Sequence, residues 1–286
     1  TVETIPNKAV LSLSGGGVRG ITTLAVLAEV EKRVGKKAGE IFSLTAATSV
    51  GCILSSLLNL RSKEDPTVRQ YSAKDLTEIM EPKIKTIFHQ TFVNNVEAGY
   101  SLLAPKYTSE GMTVVLDELF GETKAKDLMG NYCFTSFNTT DFNNSYFPFT
   151  SQNALNNPLW NDLKVTDMLH AVTAAPTYFP PRKIFQYNII DGGLLENTPC
   201  VRAYTEAKKV LGCGENMLLF SIGTGSTNFH LTETNWGSLH WGTWILPAMF
   251  SGQNSTAQAL CEDLLNIEGK SKKFYNVQFD LSEGKD

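Results

Sequence analysis

A chain of 286 residues with a formal charge of -4 is long enough for one large α/β domain and too acidic to favour nucleic acid as a main partner. Its 42% hydrophobic and 19% charged residues suit a globular protein with a sizeable core. Five scattered cysteines form no C-x-x-C pair and no Cys/His cluster, so free thiols are expected and no metal site is called. The longest uncharged stretch, Ile41 to Leu60, contains several Ser and Thr and reads as a buried strand and helix, not a membrane span. The chain does not begin with Met, which leaves the compartment open: soluble, cytoplasmic or peripheral at membranes is expected ahead of integral. Oligomeric state is not legible.

Thr1 to Lys8 reads as a loose arm. Ala9 to Ser14 is a strand, followed by the glycine loop Gly15-Gly16-Gly17-Val18-Arg19-Gly20. A helix follows, with Leu24, Val26, Leu27, Val30 and Val34 on its apolar face and Glu29, Glu31, Lys32 and Arg33 on the other. Ile41 to Ala47 is a second short strand, and Cys52 to Leu58 has apolar residues at helical spacing. A β-α-β start implies parallel strands with a right-handed crossover.

Between strand and helix lies Thr48-Ser49-Val50-Gly51. A serine pinched there, with glycine two positions on, has the form of a nucleophile elbow. The usual pattern is G-x-S-x-G; this chain has Ala47 in the first glycine place. A serine before a helix also serves as an ordinary cap. The glycine loop has two readings as well. It fits the dinucleotide fingerprint G-x-G-x-x-G, but the second strand ends in Ala-Ala-Thr-Ser without the acid that would hold a ribose. Alternatively, its N–H groups form an anion nest at a helix start, which beside a nucleophile is an oxyanion hole.

Arg61 to Tyr100 is polar, with helical pieces near Ala73 to Met80, and reads as a lid or as surface loops. Thr108 to Phe120 is a helix ended by Gly121. Tyr132 to Phe137 is one strand, and Tyr146 to Phe149 returns beside it as a hairpin. Val165 to Ala174 is helical. Tyr187 to Asp191 is a strand that delivers a carboxylate into Gly192-Gly193. A helix at Val201 to Leu211, a strong strand at Met217 to Ile222, a helix at Ser255 to Leu265 and a strand near Tyr275 to Phe279 complete the pattern. Trp236 to Phe250 is rich in aromatics, and core packing is favoured slightly over contact with membrane or acyl chains.

Serine needs a base. None of His89, His170, His230 and His240 stands in a recognisable strand-end turn. Asp191 serves without histidine if it lies within reach of Ser49, and burial would raise its pKa toward a useful value.

Five blocks in order, LSLSGGGVRG, ATSVG, AVTAAPTYFPP, IIDGGLLENTP and LLFSIGTGS, make the sequence resemble the patatin-like phospholipase family. PKYTSEGM, DELFG and MFSGQNS are similar to the plant patatin branch. The resemblance runs from Ala9 to the C-terminus. It implies a single α/β domain over 1–286, with a mostly parallel central sheet and helices on both faces in three layers. It implies a Ser49-Asp191 dyad and an oxyanion hole in the loop of Gly15, Gly16, Gly17 and Arg19. Arg19 is expected to steady the loop or meet a phosphate. Catalysis through an acyl-enzyme, without metal or cofactor, on phospholipids or other acyl lipids is implied, with peripheral membrane contact. Ser14 stands where many relatives have Asp, and Cys52 where a further glycine often follows Gly51. A nucleotide-binding oxidoreductase and a weakly active binding or storage protein are the alternatives.

Overall fold

The computed structural model describes residues 8–87, 109–213, 216–225 and 237–281. Lys8–Leu13 forms β1, so Lys8, expected in the arm, already belongs to the sheet. Gly20–Val34 is α1, ended by Gly35 in the left-handed region (φ 73°). Ala38–Ile41 is a one-turn helix, α2, and takes Ile41 out of the expected strand. Phe42–Ala47 is β2 and Val50–Leu58 is α3, every residue of which is buried. Next come α4 (Ala73–Ile87), α5 (Glu110–Phe120), β3 (Asn131–Phe134), β4 (Ser136–Asn138) and β5 (Phe149–Thr150). They are followed by α6 (Ser151–Asn156), α7 (Val165–Val172), β6 (Arg182–Ile184), β7 (Tyr187–Asp191) and α8 (Gly193–Glu196). The chain ends with α9 (Cys200–Leu211), β8 (Met217–Ile222), α10 (Ser238–Leu265) and β9 (Phe274–Val277).

Six strands build the main sheet in the order β5-β3-β2-β1-β8-β9. All neighbours run parallel except β5, which is antiparallel to β3. Alternate side chains of β1 go to opposite faces. Leu11 and Leu13 join the core shared with α1, α3, α4, α5 and α7. Val10 joins Leu44, Ala46 and Cys133 against Ala203 and Ala207 of α9 and Cys261 and Leu265 of α10. Helices thus cover both faces of a mostly parallel sheet, giving the three layers of an α/β fold. Burial on both faces explains why these strands read as continuous apolar runs.

The register places Leu13 opposite Ala47 on one side and Ile222 on the other. Three parallel strands therefore end together, and the loops that leave them share one edge, where α/β sheets place their ligands.

Several expectations are corrected. Tyr132 to Phe137 is not one strand. The run breaks at Thr135, with β3 in the main sheet and β4 in a second sheet of order β4-β7-β6. A stretch of strand-forming residues carries no mark of a change of sheet. The expected hairpin survives in divided form: β5 returns along β3, and Phe137 bridges Tyr146. Nor is Arg61 to Tyr100 simply lid or loop. Ala73, Leu76 and Met80 of α4 are fully buried in the core, while residues 88–108 lie outside the described residues.

Core packing does not hold for the aromatic stretch. Trp236 lies outside the described residues. Trp241, Ile245 and Met249 of α10 are 43%, 44% and 40% exposed. Apolar residues at helical spacing give a face but not its direction, and here that face meets solvent. Among the described residues no helix is long and apolar enough to cross a membrane.

Candidate active site

The turn from β2 into α3 is strained. Ser49 has φ 55° and ψ -126°, a backbone conformation that L-residues rarely adopt. Such strain costs about 1–3 kcal/mol and persists only where its surroundings impose it. Here Thr48 N–H donates to the Leu13 carbonyl at 3.1 Å, and the N–H groups of Gly51 and Cys52 turn back to Thr48 and Ser49 at 3.0 and 2.8 Å. Gly51 is required by close approach: a Cβ there would fall 2.7 Å from the Leu13 carbonyl oxygen. Ala47, at the departure from the usual motif, is fully buried in the core between Leu13 and Phe134, its ladder partners, so its methyl is accommodated.

Ser49 occupies the N-cap position of α3, yet its side chain caps no N–H. The hydroxyl lies instead near enough to the Asp191 carboxylate for hydrogen bonding to lower the carboxyl's pKa. Asp191 ends β7 and is 4% exposed. Its Oδ1 accepts the Gly193 N–H at 2.8 Å. Burial pushes the carboxyl up to about 6, while the bonds from Ser49 and Gly193 hold it down. Cys52 lies close enough for the Asp191 charge to act on it, but burial first, and that charge second, raise its pKa well above the ordinary range. A buried, protonated thiol is a poor competitor for the nucleophile's role.

The glycine loop lies beside the elbow: a Cβ built on Gly15 would come 3.1 Å from Ser49 Cβ. The four loop residues singled out by sequence do not contribute alike. The Gly15 N–H already donates to the Asn197 carbonyl at 3.0 Å, and the Arg19 N–H donates to the Gly16 carbonyl at 3.2 Å. Among the described residues no acceptor takes the N–H of Gly16 or Gly17. These two N–H groups are left open to a ligand. Thr224, just past β8, donates from Oγ1 to the Gly15 carbonyl at 2.7 Å. It packs so tightly on Gly16 that a Cβ there would sit 1.9 Å from that oxygen. Ser14, which stands where many relatives have Asp, lies 2.9 Å from Thr198 Oγ1, which donates to Asn254 of α10 at 2.8 Å.

Ser49, Asp191 and the loop open into one cavity of about 460 Å³, within the usual range for small-molecule sites. Ile53, Met80, Ile84, Ile87, Met112 and Phe179 make much of its wall apolar. Phe250 of α10 lines it as well, directly after the exposed Met249. Arg19 is exposed at the cavity, and its guanidinium has no partner among the described residues. An apolar wall, one buried carboxylate and one cation suit an amphipathic, anionic molecule.

The structure therefore brings together Ser49, Asp191, Gly15, Gly16, Gly17 and Arg19. It does not bring in His170, which pairs with Thr113 at 3.1 Å outside this cavity. His89, His230 and the His240 side chain lie outside the described residues. Thr48, Thr135, Asn197 and Thr224 support the site without having been singled out. Thr48, Asn197 and Thr224 sit in the ATSVG, LLENTP and IGTGS blocks, which offer a weak signal; nothing marks Thr135.

The patatin-like phospholipase family model matches residues 11–204. Patatin-like protein 4 of Arabidopsis thaliana is 28% identical over 262 residues, covering 81% of this chain and 64% of that protein. A cGAMP-activated phospholipase of Pseudomonas aeruginosa is 29% identical over 277 residues, covering 93% of this chain and 80% of its own. A probable inactive patatin-3-Kuras 1 of Solanum tuberosum is 25% identical, covering 81% and 68%. The chain spans just under two thirds of the length of the Arabidopsis relatives it matches.

Proposed function

The chain belongs to the patatin-like phospholipase family, and from that premise we propose that it is a single-domain lipid acyl hydrolase acting through a Ser49-Asp191 dyad. The observation that carries this reading is the strained Ser49, whose hydroxyl is within reach of a buried carboxylate where both line one largely apolar cavity.

Asp191, mostly ionised at neutral pH, takes the Ser49 proton as Oγ attacks the ester carbonyl. The tetrahedral oxyanion sits against the N–H groups of Gly16 and Gly17, in the loop that leads into α1. Collapse expels the alcohol, to which Asp191 returns the proton, and leaves an acyl-enzyme. Water then gives a proton to Asp191 and attacks the acyl carbonyl, releasing the fatty acid and restoring Ser49. Ile53, Met80, Ile84 and Met112 provide an apolar wall for the acyl chain, and Arg19 meets the anionic head group. Phospholipase A, lysophospholipase and simple esterase activities all fit this scheme, and none of its steps calls on a metal. The exposed Trp241, Ile245 and Met249, on the helix that also lends Phe250 to the cavity, support peripheral contact with the lipid surface.

A second layer is favoured by one finding. The relative that matches 93% of this chain is a cGAMP-activated phospholipase. We therefore propose that hydrolysis here is stimulated by a cyclic dinucleotide. The test compares wild type with Ser49→Ala on vesicles of phospholipids, lysolipids and galactolipids, in EDTA, with and without cGAMP. Released fatty acids and lysolipids are identified by mass spectrometry, and Trp fluorescence is followed as vesicles are added. Expected are phospholipid cleavage by wild type alone, greater with cGAMP, and a fluorescence change. Equal turnover by Ser49→Ala would sink the dyad, equal rates with and without cGAMP the stimulation, and unresponsive fluorescence the membrane contact.

A further inference from the structure

Ser49 and Asp191, the two members of the proposed dyad, hang from different sheets, and something must fix the spacing between them. Thr135 is the link between β3 and β4, where the chain leaves the six-stranded sheet for the three-stranded one. It is fully buried and forms no part of the cavity wall. Toward the nucleophile, its N–H donates to the Ala47 carbonyl at 3.0 Å, and its Oγ1 lies 2.7 Å from Thr48 Oγ1. Toward the base, the adjoining Ser136 is the ladder partner of Asp191. Gly192 presses on Thr135 so closely that a Cβ there would fall 2.4 Å from the Thr135 carbonyl carbon.

Counting hydrogens gives the hydroxyl pair a direction. A threonine hydroxyl has one hydrogen to donate. Thr48 gives its own to the Glu196 carbonyl at 2.6 Å. The hydrogen between the two threonines therefore belongs to Thr135. The chain of bonds runs from Thr135 through Thr48 to Glu196, whose N–H returns to the Gly192 carbonyl at 2.9 Å. It thus joins the residue before the nucleophile to the residue after the base. Glu196 is held in turn by Arg202, which donates to both carboxylate oxygens at 3.1 and 2.7 Å. Any buried threonine hydroxyl needs a partner, and a nearby backbone carbonyl usually serves. Here the partner is the side chain adjoining the nucleophile, and the donor stands where the two sheets meet.

We propose that Thr135 is a positioning residue whose hydroxyl, held against Thr48, sets the spacing between Ser49 and Asp191 and so the rate of acyl transfer. The proposal rests on the dyad reading. Thr135→Val keeps the shape and removes one donor. Thr48 keeps its bond to Glu196, no buried donor is left unpaired, and the fold should survive. Because small misplacements of reacting groups are costly, kcat on a p-nitrophenyl ester should fall on the order of ten- to a hundredfold. KM should change little, since Thr135 does not line the cavity. The acid limb of the pH–rate profile should move up, because a looser Ser49 contact removes one of the bonds that hold the Asp191 carboxyl down. Thr135→Ser should recover most of both quantities. Should the Val variant fail to fold, Thr135→Ala, which needs less room, must show the same kcat loss and limb shift.

Wild-type kcat with an unmoved limb in the Val or Ala variant overturns the proposal. So does a Ser variant as damaged as Val. Ser49→Ala is assayed alongside. Activity retained there overturns the dyad and this inference together; a dead Ser49→Ala with a fully active Thr135→Val overturns the inference alone.

Discussion

Ser49 and Asp191 are held by two kinds of sheet. Ser49 leaves β2, inside a sheet whose parallel strands β1, β2 and β8 end in register at one edge. Asp191 ends β7, the middle strand of a small antiparallel sheet with β4 and β6. The parallel edge supplies geometry: an imposed φ of 55° at Ser49, the start of α3, and a glycine loop propped by Thr224. The antiparallel side supplies desolvation: a carboxylate removed from water, with Ser49 and Gly193 as its hydrogen-bond donors. In the proposed dyad, activation of the nucleophile is thus divided, with placement made on one side and basicity on the other. A variant can damage either half while sparing the fold.

The largest separation is expected from Asp191→Asn, which keeps the shape and the acceptor for Gly193 but removes the base. Turnover on a p-nitrophenyl ester should fall at least about a thousandfold, as when other members of catalytic units are removed. Residual turnover within tenfold of wild type would place the base elsewhere. Next comes Gly16→Ala on the parallel side. Its methyl must displace Thr224, since a Cβ there lies 1.9 Å from the threonine oxygen. Loss of one oxyanion donor costs about 10²–10³ in turnover. Binding of a non-hydrolysable lipid analogue, measured by calorimetry, should be much less affected; equal loss of both would mean that the loop binds instead of catalysing.

The third effect is on pH dependence. The proposed base, Asp191, acts only when ionised, and burial pushes its carboxyl up to about 6. Activity should therefore fall about tenfold per pH unit below that value, as for any single required ionisation. A limb near 4 would mean that the carboxylate is not desolvated during turnover.

The smallest effect is thermodynamic, and it has the opposite sign to the first. The folded value of about 6 exceeds the ordinary 3.8, so the folded state holds the proton more tightly than the unfolded chain. That contribution to stability is complete below 3.8 and is lost as pH rises through about 6. At pH 7 the wild type carries the cost of a buried charge, which Asn does not. Asp191→Asn should then be the more stable protein at pH 7, by about 1–3 kcal/mol in urea unfolding. The difference should vanish below pH 4. A less stable Asn variant at pH 7 would show that the charge is better solvated than its burial implies.

The two sides also differ in how far sequence exposed them. The parallel side was legible, because strand, glycine loop, helix and elbow follow one another within fifty residues and each leaves a local pattern. The exchange of glycine for Ala47 weakened the motif without disturbing the turn, since a methyl fits between Leu13 and Phe134. On the antiparallel side, Asp191 was found at its strand end but assigned to no particular sheet. The break at Thr135 lies within six strand-forming residues, and alternation does not reveal which sheet a strand joins. The contribution of each loop residue was equally hidden. That the Gly15 and Arg19 N–H groups are occupied depends on carbonyls folded against them, one of them 182 residues away at Asn197. For α10, aromatic density suggested core, whereas direction is set by what the rest of the chain has already covered.

The position of β1 has a consequence for how the molecule comes into being. It lies between β2 and β8, pairing Lys8 with Met217 and Leu13 with Ile222, and the bond from Thr224 to Gly15 spans 209 residues of sequence. A ribosome makes Ser49 and its elbow first and the strand that supports the glycine loop much later. At about 5–20 residues per second that interval is on the order of ten seconds or more. Pairing between such distant segments is itself slow. Until Thr224 has been made, the nascent chain thus carries a serine without the prop that holds its glycine loop in place. A protein whose proposed substrate is lipid acquires its complete site only once the chain has been made as far as Thr224, and sheet order acts as a timer.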